Sequence, residues 1–253
     1  MSRPDGIRNV IILAAGMGMR LRPLTETMPK AMVSCAGWPL LSYAIEFAKG
    51  ALDPGGSLVV VAGYRHEMVE NLVRAEVPDA VVAYNPDYRK GNLWSLIAGL
   101  PRTTGGFLLM NVDHIYPFAF LDRLMNTPGS VVAAVDRDRT LGPDDMKVRV
   151  GLGGEVRAIS KTLDRCDAGY IGMTLVRPPA REAYLRAVEA ARRSRADAAV
   201  AEDVLQAMAD AGERVDTCDL SGLSWLEVDT FEDLEVAEKR LMEDDEFLKR
   251  TWT

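Results

Sequence analysis

The chain has 253 residues, of which 48% are hydrophobic and 26% are charged. This composition is typical of a globular protein with a sizeable core and excludes a disordered, collagenous or coiled-coil chain. Lys and Arg total 30 and Asp and Glu total 37, giving a net charge of −7. That balance argues against a protein that holds nucleic acid mainly through phosphate contacts, but it allows a local pocket for an anion.

The cysteine pattern and the ends of the chain bear on its compartment. Cys35, Cys166 and Cys218 are widely spaced and form no CxxC pair, which predicts neither a disulfide framework nor a thiolate zinc site and favours a reducing environment. The opening residues lack the apolar run of a signal peptide, and no stretch approaches the roughly 18 apolar residues of a membrane span. We therefore expect a soluble, cytoplasmic protein without membrane insertion.

Short apolar runs alternate with helical patterns along the first half of the chain. Val10 to Ala15 is an unbroken apolar run that ends on glycine, typical of a strand covered on both faces of a parallel sheet. The same reasoning predicts further strands and helices. The strands are at residues 57–62, 80–83, 106–110 and 130–135, and the helices are at 65–74, from about 93, and at 118–125. This order predicts an open, largely parallel sheet.

The pattern changes after Asp136. Residues 147–150 and 156–160 flank a glycine-rich turn, as in a β-hairpin, so we expect the sheet to become mixed. Then follow helices at 179–193 and 201–211, short strands near 214–218 and 225–228, and a last helix from about Thr230. Since no linker divides the chain, we expect one domain over residues 1–241 and an acidic C-terminal tail at 242–253.

The segment after the first strand is the most informative. It runs from Leu13 to Lys30 with the sequence LAAGMGMRLRPLTETMPK. Small residues here let backbone N–H groups approach a polyphosphate, while Arg20 and Lys30 can neutralise its charge. A dinucleotide fingerprint would need a third glycine where Leu21 stands, and the P-loop pattern GxxxxGK[ST] occurs nowhere. The alternative is an ordinary strand-to-loop turn with surface arginines, but the combination of Arg20 and Lys30 with LAAG favours binding of a polyphosphate.

Two aspartates follow predicted strands. Asp113 comes after the apolar run 107–110, and Asp229 comes after 226–228. Ligands of open α/β sheets bind at the carboxyl edge of the strands, where two carboxylates could help to hold a hard divalent cation. The alternative for Asp229 is that it caps the last helix. His114 adjoins Asp113, but a lone histidine lacks the spacing of a metal site, so we expect it to shape the site or contact substrate.

The loop pattern LAAGxGxRLxPLTxxxPKxM resembles the signature of the NTP-dependent sugar- and alcohol-phosphate nucleotidyltransferases. The resemblance extends along nearly the whole chain. Residues 90–96, 111–116 and 225–230 are most similar to the cytidylyltransferases that act on inositol 1-phosphate and on phosphocholine. The resemblance implies a single-domain GT-A/Rossmann-like α/β fold, with a mixed, mostly parallel sheet flanked by helices. It also implies Mg²⁺-dependent transfer of a nucleotidyl group with release of pyrophosphate.

The resemblance also implies roles for individual residues. Arg20 and Lys30 would be catalytic, and Asp113 and Asp229 would hold Mg²⁺. The nucleotide would contact Leu13, Ala14, Ala15, Gly16, Gly18, Asn85, Gly91, Asn92 and Ser95. The acceptor would contact His114, Asp136, Lys147, Lys161 and Asp167. Two alternatives stay open: Asn92 and Ser95 could cap the helix that starts near Leu93, and either lysine could be an ordinary surface residue.

Phosphocholine and a polyol phosphate would need different side chains around the acceptor. A phosphocholine enzyme would surround the quaternary ammonium with aromatic rings, for which the candidates are Trp94, Tyr116, Tyr170 and Trp225. The predicted carboxylates and lysines instead suit the hydroxyl groups and phosphate of a polyol. We therefore expect transfer of CMP from CTP to inositol 1-phosphate or a related cyclitol or alcohol phosphate.

Several other functions stay open. They are a phosphocholine cytidylyltransferase, a sugar-1-phosphate nucleotidyltransferase using UTP, dTTP or GTP, and a non-catalytic nucleotide-binding regulatory module. A GT-A glycosyltransferase would have no use for the LAAGxGxR loop. The expected partners are CTP or another NTP and a small alcohol or sugar phosphate, without nucleic acid. The sequence leaves the oligomeric state open, a homo-oligomer included.

Overall fold

The computed structural model describes residues 7–243. The strands in chain order are β1 (Ile7–Ala14), β2 (Ser34–Cys35), β3 (Trp38–Pro39), β4 (Leu52–Ala62), β5 (Val81–Tyr84), β6 (Phe107–Asn111), β7 (His114–Ile115), β8 (Val131–Asp136), β9 (Lys147–Val150), β10 (Val156–Ser160), β11 (Ala168–Val176), β12 (Asp216–Asp219) and β13 (Leu226–Glu227). The helices are α1 (Leu40–Ala51), α2 (His66–Glu76), α3 (Leu93–Gly99), α4 (Ala119–Asn126), α5 (Arg181–Arg195), α6 (Glu202–Asp210) and α7 (Phe231–Glu243).

A nine-stranded mixed sheet forms the centre of the fold. Strands β5, β4, β1 and β6 lie side by side and run parallel. Strand β11 runs antiparallel to β6, β8 and β9, and β12 runs parallel to β8. Strand β10 pairs antiparallel with β9. The expected α/β fold with a mostly parallel sheet is confirmed, and so is the change to mixed pairing after Asp136.

Alternate residues of β1 face two separate hydrophobic cores. Val10 and Ile12 pack in the core that contains buried residues of α1, α2 and α4. Ile11 and Leu13 pack in the core that contains buried residues of α3, α5 and α6. Because side chains alternate between the faces of a strand, a run that is apolar at every position is buried on both sides. This explains the unbroken apolar pattern of β1.

Helix α1 and strand β11 have no counterpart in the sequence-based expectations, and neither do the two-residue strands β2, β3 and β7. Helix α1 is buried around most of its circumference, so it lacks the alternation of apolar and polar faces that marks a surface helix. Strand β11 lies between β6 and β8, but its pairing register shifts between Tyr170 and Thr174. Gly172 within that bulge has a φ of +71°, and a glycine of this kind interrupts the sequence pattern of a strand.

The last described helix passes the domain boundary expected at residue 241. Helix α7 continues through Met242 and Glu243, and the remainder of the predicted acidic tail lies outside the described residues. Within residues 7–243, we find no helix with the length and apolar content needed to cross a membrane.

Candidate active site

A cavity of about 230 Å³ lies at the carboxyl ends of β6 and β8, where the bulge of β11 crosses them. The polar residues in its lining come from segments far apart in the chain. They are Arg20, Asn92, Asn111, Asp113, His114, Asp136, Arg139, Asp144, Asp145, Lys161, Tyr170, Glu202, Trp225, Glu227 and Asp229. The location agrees with the edge predicted for ligand binding in an open α/β sheet.

Lys30 joins the two predicted metal ligands. Its Nζ lies 2.7 Å from Asp113 Oδ2 and also donates to Asp229 Oδ1. Burial by itself would lower the pKa of Lys30, but the two carboxylates outweigh that effect and raise the pKa above its ordinary value. Lys30 is therefore a buried, permanently charged ammonium group at the edge of the cavity.

Arg20 extends this cluster toward solvent. Its guanidinium donates to Asp229 Oδ2, and its Nη1 lies 3.3 Å from Asp144 Oδ2. The Arg20 side chain is half exposed, whereas the Lys30 side chain is 8% exposed. A single cluster therefore contains the two predicted catalytic cations and the two predicted metal ligands, with one cation buried and the other accessible.

Asp229 belongs to this cluster and does not cap the last helix. The cap of α7 is formed by Thr230, whose Oγ1 accepts a hydrogen bond from Asp233 N, while Asp233 Oδ2 accepts from Thr230 N. This reciprocal pair satisfies the first backbone amides of the helix. The Asp229 carboxylate is consequently available to Lys30 and Arg20.

His114 supports Asp113 from the other side. The Nδ1 atom of His114 lies 2.6 Å from Asp113 Oδ1. The imidazole stacks on the Trp225 indole with ring centroids 5.3 Å apart and on the Tyr116 ring with centroids 5.5 Å apart. A Cβ atom at Gly172 would lie 2.9 Å from His114 Cε1, so the glycine of the β11 bulge makes room for the imidazole.

The charged groups around Asp113 and His114 lower the pKa of the carboxyl and raise the pKa of the imidazole. Burial by itself would raise the pKa of Asp113, but Lys30 and His114 hold it well below its ordinary value. Burial by itself would lower the pKa of His114, but Asp113 raises it above its ordinary value. The Asp113 carboxylate is therefore ionised, and the tight hydrogen bonding fixes its orientation.

Sequence reasoning missed a second charged group in the cavity. Arg139 Nη1 lies 2.6 Å from Glu227 Oε2, and Arg139 Nη2 lies 3.5 Å from Asp145 Oδ1. The Arg139 guanidinium also lies 4.9 Å from the centroid of the Trp225 ring. Glu227 stands in the segment 225–230 that carried the resemblance, which was the available signal, whereas Arg139 and Asp145 lie in a loop with no recognisable pattern.

The glycine-rich loop presents backbone to open space. Leu13 and Ala14 end β1 with buried side chains, and the Ala15 carbonyl accepts a hydrogen bond from Tyr64 N. No atom lies within 4 Å of the position of a Cβ at Gly16, which would allow a ligand to approach the backbone closely. Gly18 has a φ of +66°, and its Cβ would lie 2.8 Å from Lys30 Cβ.

The other predicted base-contacting residues have structural partners. Asn85 Nδ2 donates to Ser95 Oγ at 3.0 Å, and both residues are buried. The Asn92 side-chain oxygen accepts from Ala201 N at 2.7 Å, just before α6, while the residue also lines the cavity. Neither Asn92 nor Ser95 caps α3 through its side chain, because the structure records no such bond at that helix start. A Cβ at Gly91 would lie 1.9 Å from the Ala199 carbonyl oxygen.

The five predicted acceptor contacts divide into two groups. His114, Asp136 and Lys161 line the cavity. Lys147 Nζ instead donates to the backbone carbonyls of Gly142 and Lys161, at 2.9 and 2.8 Å. Asp167 Oδ2 accepts from Val150 N at 2.8 Å. The structure thus uses Lys147 and Asp167 to hold the loop and hairpin beside the cavity and does not bring them into its lining.

The donor set at the cluster fits a magnesium ion bound together with a substrate. Magnesium usually binds one or two carboxylates plus phosphate oxygens and water, and Asp113 and Asp229 both contact the Lys30 ammonium. Over residues 7–243, no group of three or more His, Cys, Asp or Glu side chains is placed to hold a metal by itself.

The chain matches a known protein family. Residues 10–195 match the model of the MobA-like NTP transferase domain. The chain belongs to this family. The membership confirms the resemblance read from the LAAGxGxR loop.

The chain is also similar to curated proteins with known activities. It is 34% identical over 233 residues to the bifunctional IPC transferase and DIPP synthase of Rubrobacter xylanophilus, over 91% of this chain and 51% of that protein. It is 42% identical over 84 residues to the choline-phosphate cytidylyltransferase of Streptococcus pneumoniae, over 31% of this chain and 35% of that protein. The chain thus spans about half the length of the bifunctional relative.

Solved structures show the same fold. The inositol-1-phosphate CTP transferase from T. maritima superimposes with a TM-score of 0.77 at 22% identity, covering 97% of this chain and 96% of that one. The CTP:phosphocholine cytidylyltransferase from Streptococcus pneumoniae superimposes with a TM-score of 0.72 at 25% identity, covering 93% of this chain and 100% of that one.

Proposed function

We propose that this chain transfers CMP from CTP to the phosphate of a polyol, with inositol 1-phosphate as the best candidate, and releases pyrophosphate. The observation that carries the proposal is the cluster of Arg20, Lys30, Asp113 and Asp229 beside the cavity. Two cations and two carboxylates at one sheet edge are what transfer of a nucleotidyl group requires. The names of two similar proteins, the inositol-1-phosphate CTP transferase and the bifunctional IPC transferase and DIPP synthase, support this choice of substrates.

The reaction needs little proton transfer. An oxygen of the acceptor phosphate attacks the α-phosphorus of CTP, and the bond from that phosphorus to the bridging oxygen of pyrophosphate breaks. The second pKa of a phosphate monoester is about 6, so the nucleophile is already largely dianionic at neutral pH. Alignment and neutralisation of negative charge therefore account for the catalysis.

Each residue of the cluster then has a distinct role. Lys30, buried and always charged, stabilises negative charge on the reacting phosphates, and the more exposed Arg20 binds the triphosphate. Asp113 and Asp229 would hold Mg²⁺, which supplies further positive charge against the α-phosphate and the leaving group. His114 fixes the orientation of Asp113 through its Nδ1 hydrogen bond.

The arrangement of aromatic rings favours a polyol over phosphocholine. Trp94 stands outside the cavity, with the Lys90 ammonium 4.3 Å from its ring centroid. Tyr116 is 1% exposed and donates its hydroxyl to the Ile171 carbonyl. Trp225 lines the cavity, but His114 and the Arg139 cation already occupy its ring surface. Tyr170 also lines the cavity, with its hydroxyl 2.9 Å from Thr174 Oγ1. A quaternary ammonium needs several free ring faces, whereas most of the groups in this lining are charged or polar.

A matrix of CTP, UTP, ATP and GTP against acceptor phosphates tests the proposal, with pyrophosphate release as the readout. The acceptors are inositol 1-phosphate, phosphocholine, glycerol 3-phosphate and glucose 1-phosphate. We expect the fastest release with CTP and inositol 1-phosphate. Faster release with phosphocholine or with UTP and glucose 1-phosphate would replace the proposed substrates. No release with any pair, while nucleotide still binds, would favour the non-catalytic regulatory module.

A further inference from the structure

A buried carboxylate in the cavity is not used by the proposed mechanism. Glu202 opens α6, is 8% exposed and lines the cavity. Its carboxylate accepts a hydrogen bond from its own backbone N–H, and across residues 7–243 no other side chain forms a hydrogen bond or ion pair with it. Burial raises the pKa of Glu202 above its ordinary value. Keeping such a group in place costs stability, and residues of this kind are concentrated at binding sites.

The surroundings of Glu202 indicate what could bind there. Lys161 also lines the cavity, and its positive charge acts on Glu202 from beyond the 4 Å limit of an ion pair. Because both residues line the cavity, a ligand that carries an anionic group and a hydrogen-bond donor can contact them together. A second carboxylate in the lining, Asp136, already accepts a hydrogen bond from the Trp225 indole N–H at 2.7 Å. This leaves Glu202 as the buried acceptor that a ligand donor can satisfy.

The donor that fits is a hydroxyl group. A carboxylate accepts hydrogen bonds from O–H donors with both oxygens. A quaternary ammonium carries no N–H or O–H and cannot donate such a bond. The Asn92 side chain, which also lines the cavity, adds a further polar group suited to hydroxyls.

We propose that Glu202 is a specificity-determining residue that binds a hydroxyl group of the acceptor alcohol, so that the cavity selects monophosphate esters of polyols. The assignment rests on the proposed nucleotidyl transfer and deepens it. Lys161 would contact the phosphate of the same acceptor, at the mouth of the cavity. Neither residue takes part in bond breaking, so Glu202 would act on acceptor binding and not on CTP.

Two acceptors that differ only in their ring hydroxyls distinguish recognition of a hydroxyl by Glu202 from its other effects. Inositol 1-phosphate and cyclohexyl phosphate have the same ring size and the same phosphate, but only the first carries ring hydroxyls. We expect Glu202→Gln to raise the KM for inositol 1-phosphate by about tenfold or more, and Glu202→Ala by up to about 100-fold. The KM for CTP and the kinetics with cyclohexyl phosphate should change less than about twofold.

The matched control is Glu182→Gln. Glu182 stands in the first turn of α5, as Glu202 does in α6, but it is exposed and lies outside the cavity lining. This variant should behave as the unaltered protein with both acceptors. Equal losses with inositol 1-phosphate and cyclohexyl phosphate in Glu202→Gln would mean a structural role and overturn the assignment. An unchanged KM for inositol 1-phosphate would overturn it as well.

A binding measurement tests the role of Glu202 independently of the proposed reaction. Calorimetric titration with inositol 1-phosphate measures affinity without turnover. Weaker binding to Glu202→Gln supports the assignment even if no pyrophosphate is released with CTP, an outcome that would count against the proposed function alone. Absence of binding to the unaltered protein, in the presence of Mg²⁺ and a CTP analogue whose α,β-bridging oxygen is replaced by an unreactive methylene, would overturn the assignment.

Discussion

Thr230 and Asp233 bond reciprocally at the start of α7. Thr230 N lies 2.8 Å from Asp233 Oδ2, and Asp233 N lies 3.2 Å from Thr230 Oγ1. The Asp233 carboxylate also accepts from Asp229 N at 3.1 Å. The pair therefore caps the helix and fixes the backbone of the aspartate that contacts Lys30 and Arg20.

This relationship predicts two different effects of substitution. Thr230→Ala should lower the free energy of unfolding by about 0.5 to 2 kcal/mol, since it removes one capping bond. Asp233→Ala should lower turnover more than Thr230→Ala does, because it also releases the Asp229 backbone. Urea unfolding and pyrophosphate release measure the two effects. If both variants kept full stability, the capping interpretation would be wrong.

Asp113 and Asp229 should be essential for turnover but individually dispensable for folding. We expect Asp113→Ala and Asp229→Ala each to reduce kcat by at least about 100-fold, as loss of a charge-stabilising group does. Each single variant leaves Lys30 with one carboxylate partner. The double variant leaves its ammonium buried without one, which costs about 3 to 5 kcal/mol. Urea unfolding of all three variants tests this; near-normal turnover in either single variant at saturating Mg²⁺ would remove that residue from the metal site.

The two cations should affect the nucleotide and not the acceptor. Arg20→Ala and Lys30→Ala should lower kcat/KM for CTP, Lys30→Ala by about 100-fold or more, while the KM for inositol 1-phosphate stays within about twofold. Arg22→Ala is the matched control, because Arg22 is exposed on the same loop and lies outside the cavity lining. A defect confined to the acceptor KM would mean that the loop does not bind the triphosphate.

CTP should be preferred over UTP by at least about tenfold. Cytosine presents an N4 amine that needs an acceptor, and leaving a buried acceptor unpaired costs about 1 to 3 kcal/mol. The Ala15 and Gly91 carbonyls and the Asn92 side-chain oxygen each accept one protein hydrogen bond already, and a carbonyl oxygen can accept a second. Equal kcat/KM values for CTP and UTP, measured by pyrophosphate release, would reject a cytidylyltransferase but not the reaction type.

Glu202 predicts a stability effect whose sign depends on pH. Its folded pKa is raised by burial, so the stability it contributes is greatest below the unfolded value of about 4.3 and is lost as pH rises through the folded pKa. Glu202→Gln should therefore melt at a higher temperature than the unaltered protein at pH 7.5, with the difference shrinking as pH falls toward 4. Differential scanning calorimetry at both pH values checks this. A Tm difference that is independent of pH would show that the Glu202 charge is not responsible.

The local sequence determined those features whose pattern is confined to a short stretch. The unbroken apolar runs of β1, β4, β6 and β8, the hairpin β9–β10 and the glycine-rich loop were all predictable, because burial on both faces and tight turns of the backbone impose their own residue types. The family followed from the loop and three short segments. Helix α1 escaped detection because a helix buried on most sides has no polar face.

Only the tertiary structure decided which side chains meet in the cavity. Arg139, Glu202 and Glu227 occupy a loop, a helix start and a two-residue strand, and of these three only Glu227 stands in a segment that carried the family resemblance. Long-range folding brings them beside Asp113, and their partners decide their roles. Lys147 illustrates the reverse case, since its ammonium is committed to two backbone carbonyls. A residue type at a sequence position indicates what a side chain can do, whereas its charge, burial and competing hydrogen bonds depend on neighbours that are distant in the chain.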